Sequence, residues 1–143
     1  MHDHASRFGV ELCVTKQLYE CKHYTERLEY LAMIVLVLPS EEGAYTLGSL
    51  QENYFAPAEL SDLECAECGG VHAKGILTHI YKRSLGLKLI FRINSYSDQS
   101  GRSDQIFLHE KLTFENGDEC NFQAILKHEG QSVHGGHYII FLF

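Results

Sequence analysis

Three cysteines in this sequence are suited by type and spacing to holding a metal ion. Cys65 and Cys68 form a Cys-x-x-Cys turn followed by two glycines, the spacing at which two thiolates reach one zinc ion. Cys21 lies upstream, but Tyr24 stands where a second Cys-x-x-Cys pair would place its other cysteine. His23 could supply a fourth ligand, although we expect side chains so close along the chain to converge poorly. Cys21, Cys65 and Cys68 therefore predict a degenerate structural zinc site, and the alternative is a hairpin tip whose cysteines bind no metal.

A histidine late in the sequence has the setting of a general base. Gly135 and Gly136 deliver His137 to the head of an apolar strand, where glycine permits a positive φ and a close backbone approach. A base in such a place is held rigidly and can still be reached by a substrate. Taken alone, the same pattern also fits a surface histidine at a β-turn. His128 is expected to be a structural hydrogen-bonding residue.

The remaining histidines and cysteines carry weaker signals. Cys13 and Cys120 lie in strand-like runs, where a free cysteine usually packs and stays inert. A redox role for the Cys-x-x-Cys turn would need a strand-to-helix context, but a glycine turn follows it. The other histidines show no shared spacing that indicates a metal site: His2, His4, His23, His72, His79, His109 and His134.

Size and composition predict one globular domain and exclude two classes of partner. The chain has 143 residues and a net charge of −7, which argues against nucleic-acid binding because phosphates require clustered Lys and Arg. The apolar run at 31–38 is far shorter than the roughly 20 residues of a membrane span. The five cysteines and the polar start of the sequence predict reduced thiols in the cytoplasm or nucleus.

The elements that would position these residues are mainly strands. Apolar and alternating patterns predict strands at 8–15, 28–38, 73–81, 85–93, 105–114, 121–127 and from 137 onward. One short helix is predicted at 49–55, with Ser49 as its cap, Glu52 reaching back to the cap and Pro57 ending it. Turns are predicted at 65–70 and 116–118, and a polar loop at 94–104. The expected fold class is α+β with mostly antiparallel sheet.

The order of these pieces resembles the C-terminal part of the catalytic domain of ubiquitin-specific proteases, from about residue 8 to the end. The matching residues are Phe8-Gly9-Val10, Cys21, Leu38-Pro39, Ser49-Leu50, Phe55, 57–60 (PAEL), Cys65, Cys68, 87–92 (LKLIFR), 122–130 (FQAILKHEG) and Gly136-His137-Tyr138. The resemblance implies a partial protease domain over 1–143, with ubiquitin-gripping fingers at about 8–82 and a palm at about 83–143. It also implies that ubiquitin or a ubiquitin-like protein is the partner.

The resemblance implies a role for His137 as well. In the family, a cysteine thiolate attacks the carbonyl after the terminal glycine of ubiquitin. A histidine in the position of His137 takes the thiol proton and returns one to the leaving lysine amine. Structural zinc in the fingers is the one cofactor to expect, and none is required for the chemistry.

The sequence departs from the family pattern at the catalytic residues. It has no box resembling G-L-x-N-x-G-N-T-C-Y, and Cys13 lies in a strand-like run without the helix start that would lower its pKa. The third triad residue of the family falls beyond Phe143, so the thumb and two triad members are expected to be absent. Losing the nucleophile alone costs on the order of a million-fold in comparable triads. We therefore expect a fragment that is inactive alone: an incomplete gene product, a splice product or one piece that needs a thumb-bearing partner chain. The alternatives are a ubiquitin-binding pseudoenzyme and a small zinc-stabilised structural domain.

Overall fold

The structure is a computed structural model, and it describes residues 8–18, 20–86, 88–94, 104–109, 111–132 and 135–143. Most of the predicted polar loop at 94–104 lies outside these residues. His2, His4, His134 and Leu87, the first residue of the LKLIFR match, lie outside them as well.

Fourteen strands and one helix are described. Their bounds are β1 Val10–Leu18, β2 Tyr24–Leu31, β3 Ile34–Val37, β4 Ala44–Thr46, α1 Leu47–Phe55, β5 Ala58–Leu60, β6 Leu63–Glu64, β7 Val71–His72, β8 Gly75–Ser84, β9 Phe91–Asn94, β10 Gln105–Phe107, β11 Lys111–Thr113, β12 Glu119–Asn121, β13 Ala124–Ser132 and β14 Gly135–Leu142. Most of the pairings are antiparallel, which confirms the predicted α+β class. Within the described ranges, no helix has the length and apolar character needed to cross a membrane.

The largest sheet in the described residues has four antiparallel strands in the order β2-β1-β8-β5. Its central strand β1 pairs along its whole length, with Cys13 opposite Leu28 on one side and Ile80 on the other. Alternate residues of a strand point to opposite faces, so Val10 and Leu12, both fully buried, face the core together. One end of this sheet therefore rests on the core, and the other end carries the connections that hold the cysteines.

The hydrophobic core lies between helix α1 and the end of this sheet that contains Val10 and Tyr81. The ring of Phe114, which follows β11, stacks on Tyr81 of β8 with centroids 3.8 Å apart. Leu50 of α1 is 1% exposed and packs in the same cluster. The buried members are Val10, Leu12, Ile34, Leu36, Leu38, Leu47, Leu50, Tyr81, Leu112 and Phe114. These contacts hold one end of the sheet on the core. The opposite end, which carries the β1–β2 connection, lies outside this cluster and depends on strand pairing and on its own side chains.

Two predicted strands are divided in the structure. The run at 28–38 was predicted as one strand, but the chain bends at Ala32 and Met33 between β2 and β3. The two halves join different sheets, because β2 pairs antiparallel with β1 whereas β3 pairs parallel with β9. The run at 105–114 is similarly divided into β10 and β11. A continuous apolar run shows that a segment is buried but not which sheet it joins.

Helix α1 begins two residues earlier than predicted, and its cap is Thr46 rather than Ser49. The Thr46 hydroxyl accepts from the Ser49 backbone N–H at 3.0 Å, and the Ser49 hydroxyl accepts from the Thr46 N–H at 3.2 Å. This reciprocal pair satisfies two free amides at the helix start, and it puts Leu47 inside the core. The predicted end is confirmed: Ala56 is extended, as the residue before a proline must be.

Candidate metal centre and the histidine hairpin

The first half of the candidate metal centre lies in the tight connection between β1 and β2. The backbone N–H of Leu18 donates to the carbonyl of His23 at 3.0 Å, which closes the connection. Lys22 adopts a positive φ of 57°, a left-handed conformation that reverses the chain within one residue. Because Lys22 lies between Cys21 and His23, this reversal brings both side chains to the same side of the turn.

The second half lies in the short hairpin formed by β6 and β7. The Cys65 N–H donates to the Gly70 carbonyl at 2.9 Å, and the Gly69 N–H donates to the Cys65 carbonyl at 2.8 Å. Gly69 has a φ of 68°, which a residue with a side chain rarely adopts. The predicted turn at 65–70 is thus confirmed, and it presents Cys65 and Cys68 toward the first half.

The two halves meet in a cluster of four side chains: Cys21, His23, Cys65 and Cys68. Their potential ligand atoms all lie within 4.8 Å of one another. The Cys21 and Cys65 sulfurs are 3.7 Å apart, and His23 Nδ1 is 3.1 Å from the Cys65 sulfur. The three cysteines predicted to share a site therefore do lie together, although they come from segments far apart in the sequence.

The expectation that His23 would converge poorly with Cys21 was wrong. The physical reason lies at Lys22, between the two ligands, which has a left-handed φ of 57° and turns the chain there. The resulting pattern is Cys-x-His in the first turn and Cys-x-x-Cys in the second. A Cys-x-His pair in a short connection between two strands was the available signal, and three thiolates with one imidazole make a full set of four donors.

The surroundings of the cluster favour the thiolate at two of its cysteines. The backbone N–H of Cys68 donates to the Cys65 sulfur and lowers its pKa to about 6, and His23 acts in the same direction. A hydrogen bond with His72 lowers the pKa of Cys68. Burial raises the pKa of Cys21, while the hydrogen bond with Cys65 raises that of His23. Thiolates are the form that binds metal, so the hairpin prepares its cysteines for that role.

A further pair, His72 and Glu20, borders the cluster and was not found from the sequence. His72 Nε2 lies 3.0 Å from the Cys68 sulfur, and His72 Nδ1 lies 2.9 Å from a carboxylate oxygen of Glu20. The other Glu20 oxygen accepts from the Ala73 N–H at 3.3 Å. These hydrogen bonds raise the pKa of His72 and lower that of Glu20. No spacing rule links positions 20 and 72, so only the folded chain reveals the contact.

His137 lies near the start of β14 in an antiparallel hairpin with β13. It is exposed and stands opposite Glu129 in the strand register. Gly136 has a φ of 144°, and a Cβ at this position would clash with the Glu129 carbonyl oxygen. The predicted need for glycine before His137 is confirmed at Gly136. The neighbouring ring of Tyr138 lies 4.8 Å from that of His128.

The two remaining cysteines have packing positions. Cys13 is 1% exposed in the centre of the sheet, and burial raises the pKa of its thiol. Cys120 of β12 packs against the core, and burial raises its pKa too. Both positions agree with the prediction that these thiols pack rather than react.

No model of a protein family matches the chain, and a search of curated proteins found no significant match. Support for a function therefore lies in the chain's own residues and their geometry.

Proposed function

We propose that this chain is the fingers-and-palm part of a ubiquitin-specific protease domain, and that it holds ubiquitin rather than cleaving it. We further propose that a zinc ion bound by Cys21, His23, Cys65 and Cys68 fixes the tip of the fingers. The observation that carries the zinc proposal is the convergence of these four side chains within 4.8 Å. The ubiquitin-holding proposal is supported by the family resemblance, in which two metal-binding turns come in the same order along the chain.

The donor set and its spacing suit zinc. Zinc prefers four sulfur and nitrogen ligands in a tetrahedron, with Zn–S near 2.3 Å, so two sulfurs on one ion lie about 3.8 Å apart. The Cys21 and Cys65 sulfurs are 3.7 Å apart, which needs almost no adjustment. The His23 nitrogen at 3.1 Å from Cys65 would move outward by about 0.5 Å to reach the corresponding tetrahedral spacing. A bound ion would tie the β1–β2 connection to the β6–β7 hairpin and so stiffen the end of the sheet.

Strand β2 offers a surface for a protein partner. Tyr24, Leu28 and Tyr30 are 56%, 53% and 63% exposed. They are separated from one another and from Glu26 by multiples of two residues, so all four point to the same face of the sheet. Exposed tyrosines on a paired strand are typical of protein interfaces, since they bury large area at small entropic cost. A finger fixed by zinc at its tip would present this face to ubiquitin in one orientation.

The proposal of holding without cleavage depends on where the cysteines lie. Of the five cysteines in this sequence, three belong to the cluster and two are packed in strands. His137 is exposed and has the role of base by the family resemblance, but these five thiols lie in the cluster or are packed in strands. Hydrolysis by this domain would require a nucleophile from residues outside this sequence, in the same polypeptide or in a thumb-bearing partner chain.

The test is a titration of ¹⁵N-labelled ubiquitin with the zinc-loaded chain. We expect chemical-shift changes on one surface of ubiquitin and no turnover of a fluorogenic ubiquitin substrate. Tyr30→Ala should weaken binding, whereas Thr25→Ala, on the opposite face of the same strand, should not. The absence of shifts at millimolar ubiquitin would reject the ubiquitin-holding role, and stoichiometric zinc would then favour the structural domain of unrelated function.

A further inference from the structure

His72 is a polar side chain held in a buried place by two partners. The residue is only 8% exposed, yet both of its ring nitrogens have hydrogen-bond partners. Nε2 meets the Cys68 sulfur at 3.0 Å, and Nδ1 meets the Glu20 carboxylate at 2.9 Å. A buried imidazole costs stability unless it is hydrogen-bonded, so this position reflects a specific arrangement rather than filling of space.

The pair formed by Glu20 and His72 joins the same two turns as the cluster. Glu20 directly precedes Cys21 in the first turn, and His72 lies four residues after Cys68 in the second. The second oxygen of Glu20 is fixed by the Ala73 amide, so the carboxylate is oriented before it meets the ring. A carboxylate that orients a histidine beside a metal ligand is a recurring outer support of metal sites.

We propose that Glu20 and His72 form a latch on Cys68 that controls how firmly the site retains its metal. This inference rests on the proposed zinc site. The contacts run from Glu20 through His72 to the Cys68 sulfur. Glu20 and His72 thereby position a ligand of the metal without binding the metal themselves.

The physical need for a latch comes from the exposure of Cys68. Among the four cluster residues, Cys68 is exposed, whereas Cys65 is only 2% exposed. Competing chelators reach a metal most easily through its exposed ligand. A metal-bound sulfur is a thiolate and can only accept hydrogen bonds, so in the zinc-loaded chain Nε2 of His72 would donate to it. Donation from Nδ1 to the Glu20 carboxylate at the same time requires the imidazolium form of the ring. The donated hydrogen bond disperses charge on the sulfur and holds the side chain in its binding orientation.

The test compares zinc retention in four variants of the full chain. Zinc affinity is measured by competition with a chromophoric chelator, and zinc loss is followed as a rate in excess EDTA. His72→Ala and Glu20→Ala should each weaken zinc binding by about 10- to 100-fold, the usual effect of removing such outer partners. Glu20→Gln should lose less, because its amide oxygen still accepts from Nδ1–H. Glu64→Ala, which removes an exposed carboxylate from the same hairpin, is the matched control and should bind as the parent does.

Two further measurements separate a latch from a general structural role. The double variant His72→Ala/Glu20→Ala should be no weaker than His72→Ala, because the two residues act as one unit. In the cobalt-loaded protein, His72→Ala should shift the thiolate-to-cobalt charge-transfer band at unchanged one-to-one stoichiometry. If His72→Ala fails to fold, Glu20→Ala and Glu20→Gln still report on the latch through Cys68.

The outcomes distinguish this inference from the zinc proposal on which it rests. A parent chain that binds no zinc would overturn both. A parent that binds one zinc, with His72→Ala and Glu20→Ala matching the Glu64→Ala control, would overturn the latch and leave the metal site standing.

Discussion

Replacing His23 with alanine tests the candidate site at the ligand that we did not expect from the sequence. His23 lies 3.1 Å from the Cys65 sulfur and completes the set of four donors. Structural zinc sites bind with about 10–16 kcal/mol, so one ligand of four is worth about 3–4 kcal/mol, or a factor of about 300 in the dissociation constant. Three cysteines remain in His23→Ala, and water would take the fourth position, so binding should weaken rather than vanish.

The same figures give the expected change in thermal stability. With free zinc about 1,000 times above the dissociation constant, binding stabilises the parent by about 4 kcal/mol. A 300-fold weaker variant would retain about 0.9 kcal/mol at the same zinc concentration. For a domain of this size, 1 kcal/mol corresponds to about 2–4 °C, so Tm should fall by about 10 °C.

The assay is calorimetric unfolding of parent and variant, each with zinc and with EDTA. His109→Ala is the control, because His109 is exposed and not a member of the cluster. Chelation by EDTA should lower the Tm of the parent and of His109→Ala, and it should lower the Tm of His23→Ala far less. A zinc-dependent Tm in His23→Ala equal to that of the parent would show that His23 is not a ligand, and a parent that chelation leaves unchanged would refute the metal site itself.

Three further predictions concern the scaffold. Burial, aided by Asp118, raises the pKa of Tyr81 to about 12. The neutral Tyr81 side chain therefore contributes on the order of 2 kcal/mol to the free energy of unfolding below about pH 10, and this contribution is lost as the pH rises toward 12. Urea unfolding of the parent and of Tyr81→Phe across this range should show the variant losing less stability. Thr46→Ala removes the cap of α1 and should cost about 1 kcal/mol in the same assay, and no loss would contradict the observed capping pair. Gly136→Ala meets the Glu129 carbonyl at a strained φ and should destabilise the β13–β14 hairpin by about 2 kcal/mol or more, seen as faster amide exchange. Gly48→Ala in α1 should not, because its added Cβ meets only Thr46 Oγ1 at an ordinary contact distance of 3.8 Å; unchanged exchange in Gly136→Ala would refute the close approach.

Local patterns were enough to predict the fold class and the tight turns. The antiparallel β-rich class follows from alternating and β-branched runs, and the turn at 116–118 is confirmed by a positive φ at Gly117. Strand boundaries could not be predicted as well, because an apolar segment such as 28–38 does not encode which partners its two halves choose. The choice is made by long-range packing around Ile34 and Leu36.

Only part of the candidate site could be predicted, and the reason is similar. Cysteine is rare and its Cys-x-x-Cys spacing is informative, so the three thiols could be assigned to one site from sequence. Histidine has many roles, and the contributions of His23 and His72 depend on a left-handed residue at Lys22 and on a carboxylate brought from position 20. Neither condition has a sequence pattern specific enough to be recognised without the fold.

The distribution of thiols bears on whether His137 works as a base in this chain. A general base needs a nucleophile within hydrogen-bond reach, either in the free protein or once substrate is bound. Cys65 and Cys68 are fixed by a hairpin whose contacts favour metal binding, and releasing them for catalysis would sacrifice the proposed support of the finger. Cys13 could act only if the centre of the sheet opened, since it is 1% exposed between two paired strands. His137 is exposed on its hairpin. Under the proposed function it is one half of a catalytic pair, so adding a polypeptide that carries a cysteine box should give activity to the parent and not to His137→Ala.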